Sequence, residues 1–218
     1  MQTKEFIKFL ASRNITVFTL NDATKIIGSG KKYTSLFLQR AIEKNVIGRA
    51  ERGLYYIKSK ANEYEIASSV LKPSYVSMVS ALAYYGLTTQ IPRFIYVVST
   101  KRHKPIKGIE GYDIIFKHVK QAMMFGYHKE ANGNVFMADP EKAVVDIYYF
   151  ADANDLDEDA LERPPRLDIA KLARYAETSK NKRVLLGVAK LLKEHRYYTY
   201  ADKLLALQQA IGCKSARR

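Results

Sequence analysis

The 218-residue chain has a single cysteine, Cys213, and no tryptophan. One thiol excludes an intrachain disulfide and any zinc site built on cysteines, and it suits a reducing compartment, so a cytoplasmic location is expected. His103, His118, His128 and His195 are scattered, with no His-x-x-x-His or Glu-x-x-His pair on a helix, so neither a metal site nor a cofactor is expected. Apolar runs are short. The longest, residues 143–151, falls well below a membrane span and contains Asp146. Residues 1–14 lack a signal-peptide pattern, because Glu5 and Lys8 interrupt the apolar positions. Acidic residues are also in deficit, 22 Asp and Glu against 36 Lys and Arg, for a formal charge of +14 that favours a polyanionic partner. Residues 1–60 hold twelve basic and four acidic residues, a net +8, so the first quarter of the chain carries more than half of the excess.

Catalytic patterns are missing as well. Residues 28–31, Gly-Ser-Gly-Lys, resemble a phosphate loop, but Lys25 and Lys32 stand where a Walker motif needs Gly and Ser or Thr. A nucleotidyltransferase would need spaced carboxylates soon afterwards, and none lies between Asp22 and Glu43. Asp155, Asp157 and Asp159 alternate as in a calcium loop, but Ala160 and Arg166 replace the required Gly and Glu. Glu141 and Asp146, five apart on one helix, point about 140° away from each other and form no acid–base pair. The protein is therefore expected not to be an enzyme.

What is present centres on residues 31–57. Residues 33–44 lack Gly and Pro and place Thr34, Leu38, Ala41, Ile42 and Asn45 on one face of a helix, which predicts the core side. The opposite side carries Lys32, Leu36, Gln39, Arg40 and Glu43, flanked by Tyr33 and Ser35. Arg and Gln can make bidentate contacts to guanine and adenine edges, while Lys and Ser suit phosphates. Leu36 either meets a thymine methyl or packs on a neighbouring element. Two strand-like pieces follow around Glu51-Arg52-Gly53, with Gly53 supplying a positive φ for the turn and Arg49 and Arg52 near its tip. Upstream, residues 3–13 predict a helix with Phe6, Phe9 and Leu10 inward. Residues 15–18 are extended, and a helix capped by Thr19 with Asp22 ends at Gly28-Ser29-Gly30. Helix, strand, helix, turn, helix and basic hairpin in that order predict a winged helix-turn-helix over residues 1–60. The candidate DNA-binding residues are Lys31, Lys32, Tyr33, Ser35, Gln39, Arg40, Arg49 and Arg52; the bland alternative is a solvated basic surface.

Residues 59–63 are polar and predict a junction to a second domain, 61–218, with its own core. There, helices are expected over 78–85, 139–150, 167–178, 182–195 and 200–211, and strands over 94–100, 112–119, 124–128 and 135–138. Asp139-Pro140-Glu141 has the form of a helix start. One tyrosine of each pair, Tyr84-Tyr85, Tyr148-Tyr149 and Tyr197-Tyr198, is expected in the core. The fold class is α+β: an N-terminal winged helix and a mixed C-terminal domain with a small sheet followed by helices.

Ser74-Tyr75-Val76-Ser77, Ser80-Ala81-Leu82 and Tyr85-Gly86-Leu87 resemble the start of the effector domain in AbiEi-type antitoxins, the regulators of phage-defence toxin–antitoxin pairs. Phe125-Gly126-Tyr127 and residues 138–146 resemble the second block of that family, and Arg52-Gly53-Leu54-Tyr55 its hairpin, so the likeness spans about residues 3–150. The resemblance implies a repressor that binds double-stranded DNA with inverted repeats at its own promoter. It also implies a second domain that counters a nucleotidyltransferase-like toxin, with direct contact left open. Two other readings stand beside it. A ligand-responsive regulator would have an apolar pocket lined by the paired tyrosines, and a nucleic-acid-modifying enzyme would have three convergent carboxylates or histidines.

Overall fold

The computed structural model describes residues 2–88, 92–130, 134–151 and 167–215 of a mixed α+β chain. The acidic stretch with Asp155, Asp157 and Asp159 lies outside the described residues, as do residues 216–218 of the basic tail. No described helix is long and apolar enough to cross a membrane.

The first six elements are α1 (Thr3–Ser12), β1 (Val17–Thr19), α2 (Leu20–Ile27), α3 (Lys31–Glu43), β2 (Ile47–Glu51) and β3 (Leu54–Ile57). Thr19 both ends β1 and caps α2. Its Oγ1 accepts from the Asp22 N–H at 3.2 Å, and Asp22 Oδ2 accepts the Thr19 N–H at 2.9 Å. Gly28, at φ 69°, closes α2 in the left-handed conformation that glycine adopts without steric cost. The three strands form an antiparallel sheet in the order β1-β3-β2, one face of which meets the helices. Phe6 sits at the centre of that core, edge-on to Phe18 and Phe37 at 5.5 Å each. Thr34, Leu38 and Ala41 are buried on α3 as its periodicity predicts. Asn45 is not: the helix ends at Glu43, and Asn45 is an exposed turn residue at φ 57° whose Oδ1 accepts from Lys58 Nζ.

The second part contains α4 (Glu63–Val70), β4 (Ser74–Val76), α5 (Met78–Tyr84), β5 (Phe94–Ser99), β6 (Ile106–Ile109) and β7 (Tyr112–His118). After these come β8 (Tyr127–Lys129), β9 (Phe136–Ala138), α6 (Pro140–Phe150), α7 (Ile169–Ser179), α8 (Lys182–Glu194) and α9 (Tyr198–Ser215). Its six-stranded sheet has the order β6-β7-β5-β4-β9-β8, with β5/β7 and β4/β9 parallel. α6 packs against α5, α7 and α8, and α9 packs on α7 and α8, so the helices expected after the sheet pack on one another. The segment expected as a strand from 124 becomes one only at Tyr127, because Gln121–Met123 is a 3₁₀ turn and Gly126 has φ 67°. Asp139 precedes Pro140 at the start of α6, but its side chain does not cap the helix. It accepts instead from the Tyr175 hydroxyl at 2.6 Å and pairs with Lys171 at 3.1 Å. The tyrosine pairs also depart from expectation. Tyr197 and Tyr198 are both exposed and no member of the three pairs is fully buried, whereas Tyr55, Tyr56 and Tyr75 are the core tyrosines.

A buried seam joins the two parts. Ala50, Leu54 and Tyr56, on the sheet face opposite α3, belong to the larger core. Glu65, only 5% exposed, lies at the seam's edge. Its carboxylate accepts from Thr16 Oγ1 at 2.9 Å, from the Asn134 N–H at 3.1 Å and from the Asn62 N–H at 3.4 Å, tying the first part, the junction and the approach to β9. Each part thus has its own apolar cluster, but cutting at residue 60 would bare apolar surface and take the Glu65 carboxylate away from the Thr16 hydroxyl. Leaving a buried donor unsatisfied costs about 1–3 kcal/mol, so Glu65→Ala should lower unfolding stability by about that amount in urea titration. An unchanged midpoint would mean that water satisfies the donors without the carboxylate.

Candidate nucleic-acid interface

All eight residues singled out as DNA contacts are exposed. The end of β1, the start of α2, one face of α3 and the β2–β3 hairpin enclose an open groove of about 1030 Å³. Ser35, Gln39, Arg49 and Arg52 line it together, so side chains separated by up to 17 positions share one concavity. Lys31, Lys32, Tyr33 and Arg40 are not part of its lining: the first three crown the opening turn of α3, and Arg40 lies on the exposed side of the helix. Leu36 is 48% exposed and therefore does not pack away on another element.

The hairpin is set by three backbone features. A register shift between Arg49 and Glu51 bulges β2, leaving Arg49 exposed while Ala50 turns into the core. Gly53 takes the turn at φ 86°, and its carbonyl accepts from the Leu20 N–H at 2.9 Å, which fastens the hairpin tip to the start of α2. Arg49 Nε donates to the Glu51 carbonyl at 3.2 Å, holding the guanidinium beside the tip. Behind the hairpin, Gly48 lies under the Tyr56 ring, where any Cβ would overlap the ring carbons. Tyr56 in turn donates to Glu110 Oε1 at 2.7 Å; burial, followed by this carboxylate, pushes the phenol pKa far up, so it stays a donor.

The electrostatics of the groove are one-sided. None of its lining residues is acidic. The first turn of α3 holds Lys31 and Lys32 and no acid, and its N-cap, Gly30, offers no side-chain acceptor to the free backbone N–H groups. Cations at a helix N-terminus are unfavourable with respect to the helix dipole unless an anion sits among them. Thr19, Leu20 and Asn21, which the linear pattern did not single out as site residues, complete the groove on the α2 side. Their only sequence signal was the cap itself, which marks a helix start that must face something.

Elsewhere, two polar clusters carry catalytic residue types. Lys142 and Asp146 form an ion pair on α6 with neither side chain exposed, and Asp146 also accepts from Ser77 Oγ at 2.7 Å and the Tyr75 hydroxyl at 3.1 Å. Burial lowers the Lys142 pKa even though Asp146 opposes the shift. The group is sealed from solvent and fastens β4 to α6. Closer to the surface, His128 lies 2.8 Å from Asp139 and 3.1 Å from Glu130, whose Oε1 also accepts from the Tyr85 hydroxyl at 3.1 Å. Among the described residues, no group of three or more His, Cys, Asp or Glu is arranged to hold a metal ion. A second recess, of about 390 Å³, is lined by Ser68, Lys72, Pro73, Ser74, Tyr127 and Phe136 and by none of the tyrosine pairs. In comparisons with known proteins, no family model matches the chain and no curated protein matches it.

The cap that seats α2 against the groove is testable. Removing an N-cap hydroxyl costs about 0.5–2 kcal/mol, so Thr19→Ala should lower stability by that order. Burial alone would raise the Asp22 carboxyl, but the hydrogen bonds from Thr19 together with the charges of Lys25 and Lys72 outweigh it and hold the pKa below the ordinary 3.8. A depressed carboxyl contributes stability above its unfolded value and loses it as pH falls through the folded one. The gap between wild type and Asp22→Asn in thermal unfolding should therefore be full above pH 3.8 and close below it.

Proposed function

We propose that the chain is a DNA-binding antitoxin and autorepressor whose residues 1–60 form a winged helix-turn-helix. In this reading α3 is the recognition helix, and β2 and β3 are the wing. One observation carries it: Ser35, Gln39, Arg49 and Arg52 line a single groove without an acidic residue, beside a helix that opens with two lysines. α3 has 13 residues, about 20 Å at 1.5 Å per residue, and the major groove, about 12 Å wide, admits such a helix. Gln39 and Arg40 reach base edges, Leu36 meets a thymine methyl, and Lys31, Lys32, Tyr33 and Ser35 take the phosphates at the helix start. The wing brings Arg49 and Arg52 to the adjacent backbone or minor groove.

The antitoxin half of the proposal rests on the family resemblance of residues 74–87, 125–127 and 138–146. The second part, residues 61–218, would neutralise a nucleotidyltransferase-like toxin without chemistry of its own. The protein would act in the cytoplasm, with no cofactor and no membrane partner. Two copies would occupy an inverted repeat at the operon's own promoter, with half-sites one or two helical turns apart so that both face the same side of the duplex.

Three substitutions test the DNA reading. Gln39→Ala and Arg40→Ala should each cost about 1–3 kcal/mol on the preferred duplex and relax base preference, if their contacts are bidentate. Lys32→Ala should weaken all duplexes alike and flatten the slope of log K against log salt by about 0.9. Titrations on matched and scrambled duplexes decide the point, and wild-type affinity in all three variants would remove the assignment. Separation of the two roles is tested in the full-length chain, where the combined Gln39→Ala, Arg40→Ala and Arg52→Ala variant should lose promoter repression yet still rescue cells expressing the toxin from the neighbouring reading frame. Loss of rescue by this folded variant would show that the two roles share the groove.

A further inference from the structure

The six-stranded sheet has two edges, and the fold treats them differently. β6 is bulged between Ile106 and Ile109 and abuts the hairpin of the first part, where Tyr56 bonds to Glu110. β8, at the other edge, pairs only with β9. The Asp139 N–H bonds to the Gly126 carbonyl and the Glu130 N–H to the Val135 carbonyl, so residues 126, 128 and 130 turn their backbone groups toward β9. Tyr127 and Lys129 alternate with them and point their N–H and C=O groups outward. Among the described residues, none of these four groups has a hydrogen-bond partner. Such an edge is a template for another strand.

Tyr127 also forms one wall of the recess of about 390 Å³, and Phe136, paired across the ladder with Lys129, forms another. The Tyr127 ring lies flat on the buried Tyr75 ring, 4.5 Å between centroids and 10° between planes, while Phe136 meets it edge-on at 6.3 Å. Phe136 is 38% exposed. The Ser68 and Ser74 hydroxyls donate to the carbonyls of Glu65, Ser68 and Leu71, so the recess is apolar except for Lys72. Lys72 and Lys129 are exposed, and Asp22 feels the Lys72 charge. Among the described residues, no carboxylate lies within ion-pair distance of either lysine.

We propose that β8 and this recess dock an extended peptide of a partner protein, one that carries an aromatic side chain with an acidic residue two positions to each side. Pairing with the free groups of Tyr127 and Lys129 supplies affinity, and the recess supplies specificity. Side chains two apart on a strand share a face, so a ring seated between Tyr127 and Phe136 brings both acids over the face that holds Lys72 and Lys129. A second copy of this chain suits the edge less well, because a two-fold axis there would gather both lysines of each copy on a protein of net charge +14. The inference goes beyond the antitoxin reading, which leaves direct contact with a toxin open, and does not depend on it.

The test is fluorescence anisotropy of the intact chain with fluorescein-labelled Gly-Asp-Thr-Phe-Thr-Asp-Gly. Replacing Phe by Ala, or both Asp by Lys, should each weaken binding about tenfold or more. A scrambled peptide of the same composition, Gly-Asp-Asp-Thr-Thr-Phe-Gly, should bind as poorly. Lys129→Pro removes an outward N–H without touching the β9 ladder and should abolish binding, whereas Lys129→Ala, which loses only an exposed charge, should weaken it about threefold. If the proline variant melts below the wild type, Phe136→Ala decides in its place and should erase the preference for Phe over Ala. Equal affinity for the original and scrambled peptides, or no binding by the wild type, overturns the proposal. A dimer in sedimentation velocity that Lys129→Pro converts to monomer would give the edge to a second copy and overturn it as well.

Discussion

A buried carboxylate sets the geometry on which the candidate interface depends. Glu65 takes hydrogen bonds from Thr16 next to β1, from the junction at Asn62 and from Asn134 ahead of β9. Donors on three segments converge on one side chain, so the three-stranded sheet cannot tilt against the six-stranded one without leaving polar groups unpaired in a low-dielectric seam. The sheet is thereby used on both faces. One side receives the helices through Ile47, Tyr55 and Ile57, and the other gives Ala50, Leu54 and Tyr56 to the larger core. All four residues of β3 are buried, which is what a strand between two cores requires and a solvent-facing hairpin would not show.

This sharing separates what was legible in the sequence from what was not. The inner face of α3, the Thr19 cap and the turn at Gly53 are local: a 3.6-residue period, a three-residue cap spacing and a glycine at positive φ each act within one or two turns of chain. Asn45 fell outside the helix because periodicity projects a face but does not stop it. α4 carried a readable signal, Asn62 with Glu65 three residues on, hidden by the polar look of the junction. β4 carried none. Three residues cannot display a period, and only their neighbours on both sides make Ser74, Tyr75 and Val76 a central strand. The groove was half legible, since α3 and the hairpin declare their exposed faces, while the contribution of Thr19, Leu20 and Asn21 exists only once the Leu20 N–H meets the Gly53 carbonyl.

The same contrast applies to charge. Glu141 and Asp146 are both carboxylates on one helix, yet the side chain that partners Asp146 is Lys142, one turn before it. Its ammonium also lies 4.9 Å from the Phe125 ring and 5.3 Å from the Tyr75 ring. A buried ion pair of this kind is weak as a source of net stability but costly to break, because each half leaves the other uncompensated. Its location between β4 and α6 suits a device that adds to the pairing of the short central strand with β5 and β9 by tying it to the helix layer.

The candidate interface follows the opposite rule. Where Lys142 is matched by Asp146 inside the protein, Lys31 and Lys32 stand at the positive end of α3 with no acid in that turn. Arg49 and Arg52 share a groove without a carboxylate, and the one acid of the hairpin is held by His103. Such an arrangement stores unfavourable like-charge and dipole interactions in the free protein, screened by salt over about 10 Å at 0.1 M. A bound polyanion would relieve them together. Cations left unpaired on a shared rigid frame, with the hairpin fixed from behind by Tyr56 on Glu110, are therefore preorganised for a ligand with regularly spaced negative charge, and the frame determines the spacing that fits.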